Sequence, residues 1–187
     1  MARVGLSGAR LAQAGAELAD EVGFEQVTVS ALARHFGVQV ASLYSHVRSS
    51  DDLKARIATV TLTELADQAA AALAGRAGRD ALHALADVYR DYARAHPGRY
   101  AATRHTAAAS EPYVAAGRRH SELVRAVLRG YDLGEPAQTD AVRLLGSTIH
   151  GYITLELAGS FAHSEPSAGD SWPRIIDALD TLLRSWS

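Results

Sequence analysis

The chain has 187 residues, 48% of them hydrophobic and 21% charged, enough to bury a core and too apolar for global disorder. A formal charge of −2 argues against coating nucleic acid or membrane by bulk attraction. The absence of cysteine removes disulfides, thiol nucleophiles and thiolate metal sites.

The first predicted helix covers 7–22, with Leu11, Ala14, Leu18 and Val22 at helical spacing, Ser7 as N-cap and Gly23 as stop. Thr28 caps a short second helix through Phe36, whose Leu32, Ala33 and Phe36 face inward. Gly37 ends it, and a third helix is expected over about 40–45. "SSDDL" then opens a long fourth helix, with Ser49 or Ser50 as cap and Asp51 and Asp52 in the favourable first turn. Five further helices are predicted over 79–95, 98–109, 112–130, 136–161 and 171–186. The breaks between them are "HPG", "SEP", "GYDLGEP" and "HSEPSAGDSWP". The expectation is an all-α protein, with a three-helix head over 1–55 on a helical body over 56–187. No apolar run approaches the roughly 20 residues of a membrane span, and the N-terminus has no continuous apolar segment. A cytoplasmic location without membrane contact is therefore expected.

The stretch "GVQVASLYSHV" carries the most specific signal. Two short helices joined by a tight glycine turn, the second with small and polar side chains, describe a helix-turn-helix. Val38 and Leu43 plug the core, which leaves Gln39, Val40, Ala41 and Ser42 free to face a major groove. Val40 and Ala41 offer only apolar contact, so Gln39 and Ser42 are the polar base readers. Tyr44 and His46 stand at the far end, where an uncharged donor reaches phosphate oxygens.

The segment "TVSALARHFGVQVASLYSHVRSSDDL", residues 28–53, resembles the DNA-binding head of the TetR family of transcriptional regulators. The matching elements are Thr28, Leu32-Ala33, Gly37-Val38, Leu43-Tyr44-x-His46-Val47 and Asp51-Asp52-Leu53. The resemblance implies phosphate contacts from Thr28, Tyr44 and His46, with Arg48 and Lys54 as further candidates. The family usually carries lysine where Ser50 stands, a contact that Arg48 or Lys54 would have to supply. Residues 1–56 hold six Lys or Arg and six Asp or Glu. Such a neutral head has modest nonspecific affinity and needs two copies at fixed spacing, so a homodimer is expected.

In the body, aromatic and histidine side chains recur on several helices. Tyr89, Tyr92, His105, Tyr113, His150 and Tyr152 are the candidate contacts for a small-molecule effector, which the sequence does not identify. "RLLGSTIHGYITLELAGSF", 143–161, resembles a subset of TetR-family C-terminal domains with a His-Gly pair, a Leu-Glu pair and a Gly-x-Phe. The resemblance implies that this helix and the last one form the dimer interface, with Ile149, Leu157, Ile175, Ile176, Leu179, Leu182 and Leu183 as candidates. No His pair stands at i, i+4 and no His-Glu-x-x-His occurs, so no metal or cofactor is expected. An all-helical enzyme would need a nucleophile with its base, and no such constellation is recognisable. A third reading, which the neutral head and Ser50 keep open, is a protein-interaction module that retains the head as scaffold. The leading expectation is a repressor that an apolar effector releases from a palindromic operator.

Overall fold

Ser7 starts the first helix: its hydroxyl accepts from the Arg10 N–H at 3.2 Å, and α1 runs Gly8–Val22. A 3₁₀ turn over Phe24–Gln26 leads to α2 (Val29–Phe36), capped by the Thr28 hydroxyl on the Ala31 N–H at 3.0 Å. Gly37 ends α2 at φ 63° and ψ 34°, a left-handed conformation open to glycine at little cost. Its N–H bonds the Arg34 carbonyl at 3.1 Å and the Val38 N–H bonds that of Ala33 at 3.0 Å, the paired closure of a Schellman motif. The turn releases α3 (Val40–Leu43), and the Ser49 hydroxyl on the Asp52 N–H at 3.0 Å opens α4 (Ser50–Leu73). There follow α5 (Gly78–Ala95), α6 (Pro97–Ala102), α7 (Glu111–Leu128), α8 (Ala137–Leu157) and α9 (Ala168–Ser185). This computed structural model describes residues 5–106 and 110–186, and among them there is no strand. The fold is all-α, with a helix-turn-helix head and a helical body.

Several ends fall elsewhere than the periodicity predicts. The α-helical part of α3 stops at Leu43, and Tyr44–His46 form a turn closed by His46 N–H on the Leu43 carbonyl at 2.9 Å. The helix expected over 98–109 ends at Ala102, because the next three N–H groups turn to i−3 carbonyls and tighten the chain. The last three residues of that expectation, 107–109, lie outside the described residues. Gly159 closes α8 four residues early, with Ser160 N–H on the Leu155 carbonyl at 2.9 Å. Conversely α9 begins at Ala168, three residues ahead of the expected start at 171, since the Ser167 hydroxyl accepts from the Asp170 N–H at 3.1 Å.

The described chain forms two compact units. The first takes the N-terminal stretch to Glu64 together with Ala95–Gly117; the second takes Leu65–Arg94 and the chain from Arg118 onward. A cut at residue 55 is thus not where the compact units divide. The reason is local to the first unit: α6 lies on α1 so closely that a Cβ on Gly98 would meet the Ala19 carbonyl oxygen at 1.8 Å. Asp20 on α1 fixes that contact, accepting from the Arg99 N–H and from His96 Nδ1, each at 2.9 Å. The Arg99 guanidinium also reaches both Glu64 oxygens on α4 at 3.1 Å. Beneath these bonds the first unit buries Leu11, Leu32, Leu43, Leu53 and Ile57 completely.

The second unit packs the end of α4 from Leu65, α5, α7 from Arg118, α8 and α9 around Leu82, Leu85, Leu145, Ile153 and Ile176. Polar pairs pin it at the margin of the core. Arg90 on α5 makes a two-pronged bond to Glu156 on α8 at 2.8 and 2.5 Å, and Tyr131 donates to Asp180 on α9 at 2.7 Å. The apolar stripe expected to face a partner divides here. Ile149, Ile176, Leu179 and Leu183 are buried within the single chain, where a wide stripe on α9 serves the unit's own core. Only Leu157 and Leu182 of the seven candidates are exposed, with Ile175 half-buried.

Candidate functional site

In the head, Val40, Leu43 and Val47 lie at i, i+3 and i+7 and form the inward side of α3 and its turn. Leu43 is fully buried and Val47 nearly so, while Val40 packs partly against the same core. That anchoring leaves Gln39, Ala41, Ser42 and Tyr44 outward, with Tyr44 52% exposed although it is a large aromatic residue. Gln39 occupies the cap position but makes no side-chain capping bond, so its amide keeps all its donors and acceptors. The Ser42 hydroxyl donates to the Gln39 carbonyl at 2.6 Å, which leaves only its lone pairs for an outside donor. Thr28 is exposed and accepts the α2 capping bond, so its O–H remains a donor. His46 is half-buried.

Arg48 and Lys54 separate. Arg48 stays on the surface, its side chain 84% exposed and paired to Asp52 at 3.1 Å. Burial alone would raise the Asp52 carboxyl, but the Arg48 N–H and the Arg56 and Arg48 guanidinium bonds outweigh it and hold the group below the usual carboxylate range. Lys54, expected as a phosphate contact, is instead drawn inward. Its ammonium bonds Glu25 at 2.6 Å and lies 5.1 Å from the centre of the Phe24 ring, with the side chain only 16% exposed.

In the body, a cavity of about 170 Å³ is lined by apolar residues of α5, α7 and α8, with Tyr89, His120, Ser121 and His150 as its polar members. The Tyr89 hydroxyl is hydrogen-bonded to His120 Nδ1, and both imidazoles meet the Tyr89 ring edge to face at 5.6 Å. Burial pushes the Tyr89 phenol above its usual range, so the group is neutral at physiological pH.

Comparison with known proteins decides the family. Residues 11–57 match the model described as "Bacterial regulatory proteins, tetR family", and residues 82–179 match "Tetracyclin repressor-like, C-terminal domain". The chain belongs to the TetR family. It is 30% identical over 98% of its length to the uncharacterized HTH-type transcriptional regulator YobS of Bacillus subtilis, covering 92% of that protein. It is 38% identical over 75% of its length to the uncharacterized HTH-type regulator Rv0681 of Mycobacterium tuberculosis, spanning 65% of that protein. Its fold is similar to that of a TetR-Q116A protein from Acinetobacter baumannii, solved in complex with minocycline. The TM-score is 0.73 at 22% identity, covering 98% of this chain and 99% of that one. It is also similar to apo ActR from Streptomyces coelicolor, TM-score 0.73 at 16% identity, with 99% and 98% covered. Both YobS and Rv0681 are HTH-type transcriptional regulators by name, not enzymes.

Within this TetR-family regulator the structure gathers only part of the expected effector set. Tyr89 and His150 line the body cavity, and Tyr92 is buried in the same unit. His105 and Tyr113 belong to the first unit: the Tyr113 hydroxyl donates to the His105 carbonyl, and His105 packs edge-on against Phe24. Tyr152 is half-buried between Phe161 and Trp172, its hydroxyl donating to the Ala168 carbonyl at 2.7 Å. The short α6 explains the first two, since it returns the chain to α1 before α7 begins. His120 lines the cavity although it is not among the six effector candidates. Its signal is a register: Ala116, His120 and Val124 follow one another at i+4 along α7, so a single polar ring interrupts an inward stripe. Among the described residues no cluster of histidine and carboxylate side chains has the makings of a metal site. Nor is any helix there long and apolar enough to cross a membrane.

Proposed function

We propose that this regulator is a homodimeric repressor that binds a palindromic operator through two copies of α3 and is released by a small, largely apolar effector held in the body. The observation that carries the proposal is the outward face of α3: a buried Leu43 holds the helix while Gln39, Ala41, Ser42 and Tyr44 stand exposed. Gln39 reads a base edge and Ala41 lets the helix approach; Thr28, Tyr44 and His46 hold phosphates, with Arg48 as the cationic contact. Residues 1–55 act as the reading head and 56–187 as the effector and dimerisation body. The head's balanced charge favours the dimer, because one neutral head gains little from counterion release and two gain register as well as affinity. Leu155, Leu157 and Leu182, all exposed, supply an apolar surface for the partner on α8 and α9. The effector acts by population shift, binding the DNA-incompetent arrangement better than the competent one.

The test is selection of the purified protein on a random duplex pool, followed by a salt titration on the enriched sequence. A two-fold symmetric site, bound by a dimer with an affinity that falls steeply with salt, is the expected result. Gln39→Ala should then relax discrimination at one position per half-site. A folded protein that enriches no sequence, or one bound as a monomer to an asymmetric site, would refute the proposal.

A further inference from the structure

We infer, resting on the effector-binding reading of the body proposed above, that its cavity selects an uncharged, ring-sized molecule bearing one hydrogen-bonding oxygen, a phenol or a compound of that class. Size sets the first limit. The cavity measures about 170 Å³, and an engineered apolar cavity of about 150 Å³ in another protein holds benzene. A single six-membered ring with one substituent matches a space of that size.

Charge sets the second limit. No arginine, lysine, aspartate or glutamate lines the cavity, and an ion moved there from water would lack a standing counter-charge. The walls are mainly aliphatic, with Leu85, Val124, Leu145 and Ile149 among them. Polarity enters at the Tyr89–His120 pair, with His150 against the same ring, and otherwise at the exposed Ser121. A phenol oxygen carries one hydrogen and two lone pairs, and the bond to His120 uses only one of the three. Tyr89 Oη therefore keeps capacity for a ligand hydroxyl.

Gly146 adds an independent indication. It lies in the interior of α8, where glycine weakens a helix, yet an added Cβ there would meet nothing within 4 Å. No close packing demands a glycine at this position. The missing side chain leaves space on the cavity wall, to which Gly146 belongs. A larger residue there would occupy that space without straining the backbone.

The experiment is calorimetric titration of the full-length protein with phenol, toluene, benzoate and decanol, repeated on Gly146→Leu and Tyr89→Phe after circular dichroism has established that both fold. Phenol should bind more tightly than the other three. Tyr89→Phe should weaken phenol by about fivefold to tenfold, the scale of one hydrogen bond, and leave toluene unchanged. Gly146→Leu should abolish both. Benzoate or decanol binding as well as phenol would overturn the assigned class while leaving an effector-binding body intact. Binding of none of the four would overturn the inference outright. Phenol binding with the expected variant pattern would support it. If saturating phenol then left the operator complex undisturbed, the cavity assignment would hold and the effector reading would fall.

Discussion

Gly98 is the position where one methyl group should do most damage. Its Cβ would stand 1.8 Å from the Ala19 carbonyl oxygen, 2.1 Å from that carbonyl carbon and 2.6 Å from the Asp20 nitrogen. All three are backbone atoms of α1, so no rotamer change relieves the clash. Ordinary contact begins at 3.4 Å; 3.4 minus 1.8 means that α6 must withdraw by about 1.6 Å from α1. The 2.9 Å bonds from Arg99 N–H and His96 Nδ1 to Asp20 would then exceed hydrogen-bonding distance. Nor does the Arg99 side chain hold the helices together by itself. Its Nε lies 3.0 Å from Asp20 Oδ2 but makes no aligned hydrogen bond. Overpacking costs about 1–3 kcal/mol, and each charge-assisted bond lost adds about 1–2 kcal/mol when partly exposed. Gly98→Ala should therefore destabilise by about 3–7 kcal/mol and lower Tm by roughly 10–20 °C for a chain of this size. Urea unfolding with a matched m-value measures it. The control is Gly117→Ala on α7, where a Cβ meets nothing within 4 Å and helix propensity predicts a change of zero to slight stabilisation. A Gly98→Ala variant within about 0.5 kcal/mol of the parent would refute the close packing of α6 on α1.

Three further outcomes follow from the same geometry. Tyr44→Phe should weaken operator and random DNA alike by about 1 kcal/mol, the value of one phosphate hydrogen bond, in gel-shift titrations; a loss confined to one sequence would mean that Tyr44 reads a base. Arg48→Ala should shallow the salt slope by about 0.9 per half-site, whereas Lys54→Ala should leave it nearly unchanged because Glu25 and Phe24 already hold that ammonium. Equal slopes for the two variants would reverse the assignment. Glu156 is held below its ordinary value of 4.5 chiefly by its bond from Arg90, against the opposing effect of burial. A depressed carboxylate contributes stability that is complete above that ordinary value and is lost as pH falls through the lower folded value. Glu156→Gln should therefore cost about 2 kcal/mol at neutral pH, less than for a fully buried pair. The gap to the parent should narrow on acidification below pH 4.5; a pH-independent gap would point to packing rather than charge.

The residues that cap and stop helices made the head legible from sequence alone. Ser7, Thr28 and Gly37 act through bonds three to five residues away, so their pattern in the chain is already their geometry. The same local logic exposes Gln39 and Tyr44 by burying Leu43. Periodicity was weaker where ends depend on a competing turn, which is why α6 and α8 stop earlier than an apolar repeat implies. It also marked Ile176, Leu179 and Leu183 as apolar without saying whether the surface that covers them is the chain's own. Only tertiary structure decides that, as it decides that Lys54 meets Glu25 across 29 residues and that Tyr89 meets His120 across 31. Helix caps are written in neighbouring residues, but a cavity or an ion pair is assembled from helices distant in sequence. Their meeting is set by the packing of buried faces rather than by any spacing along the chain.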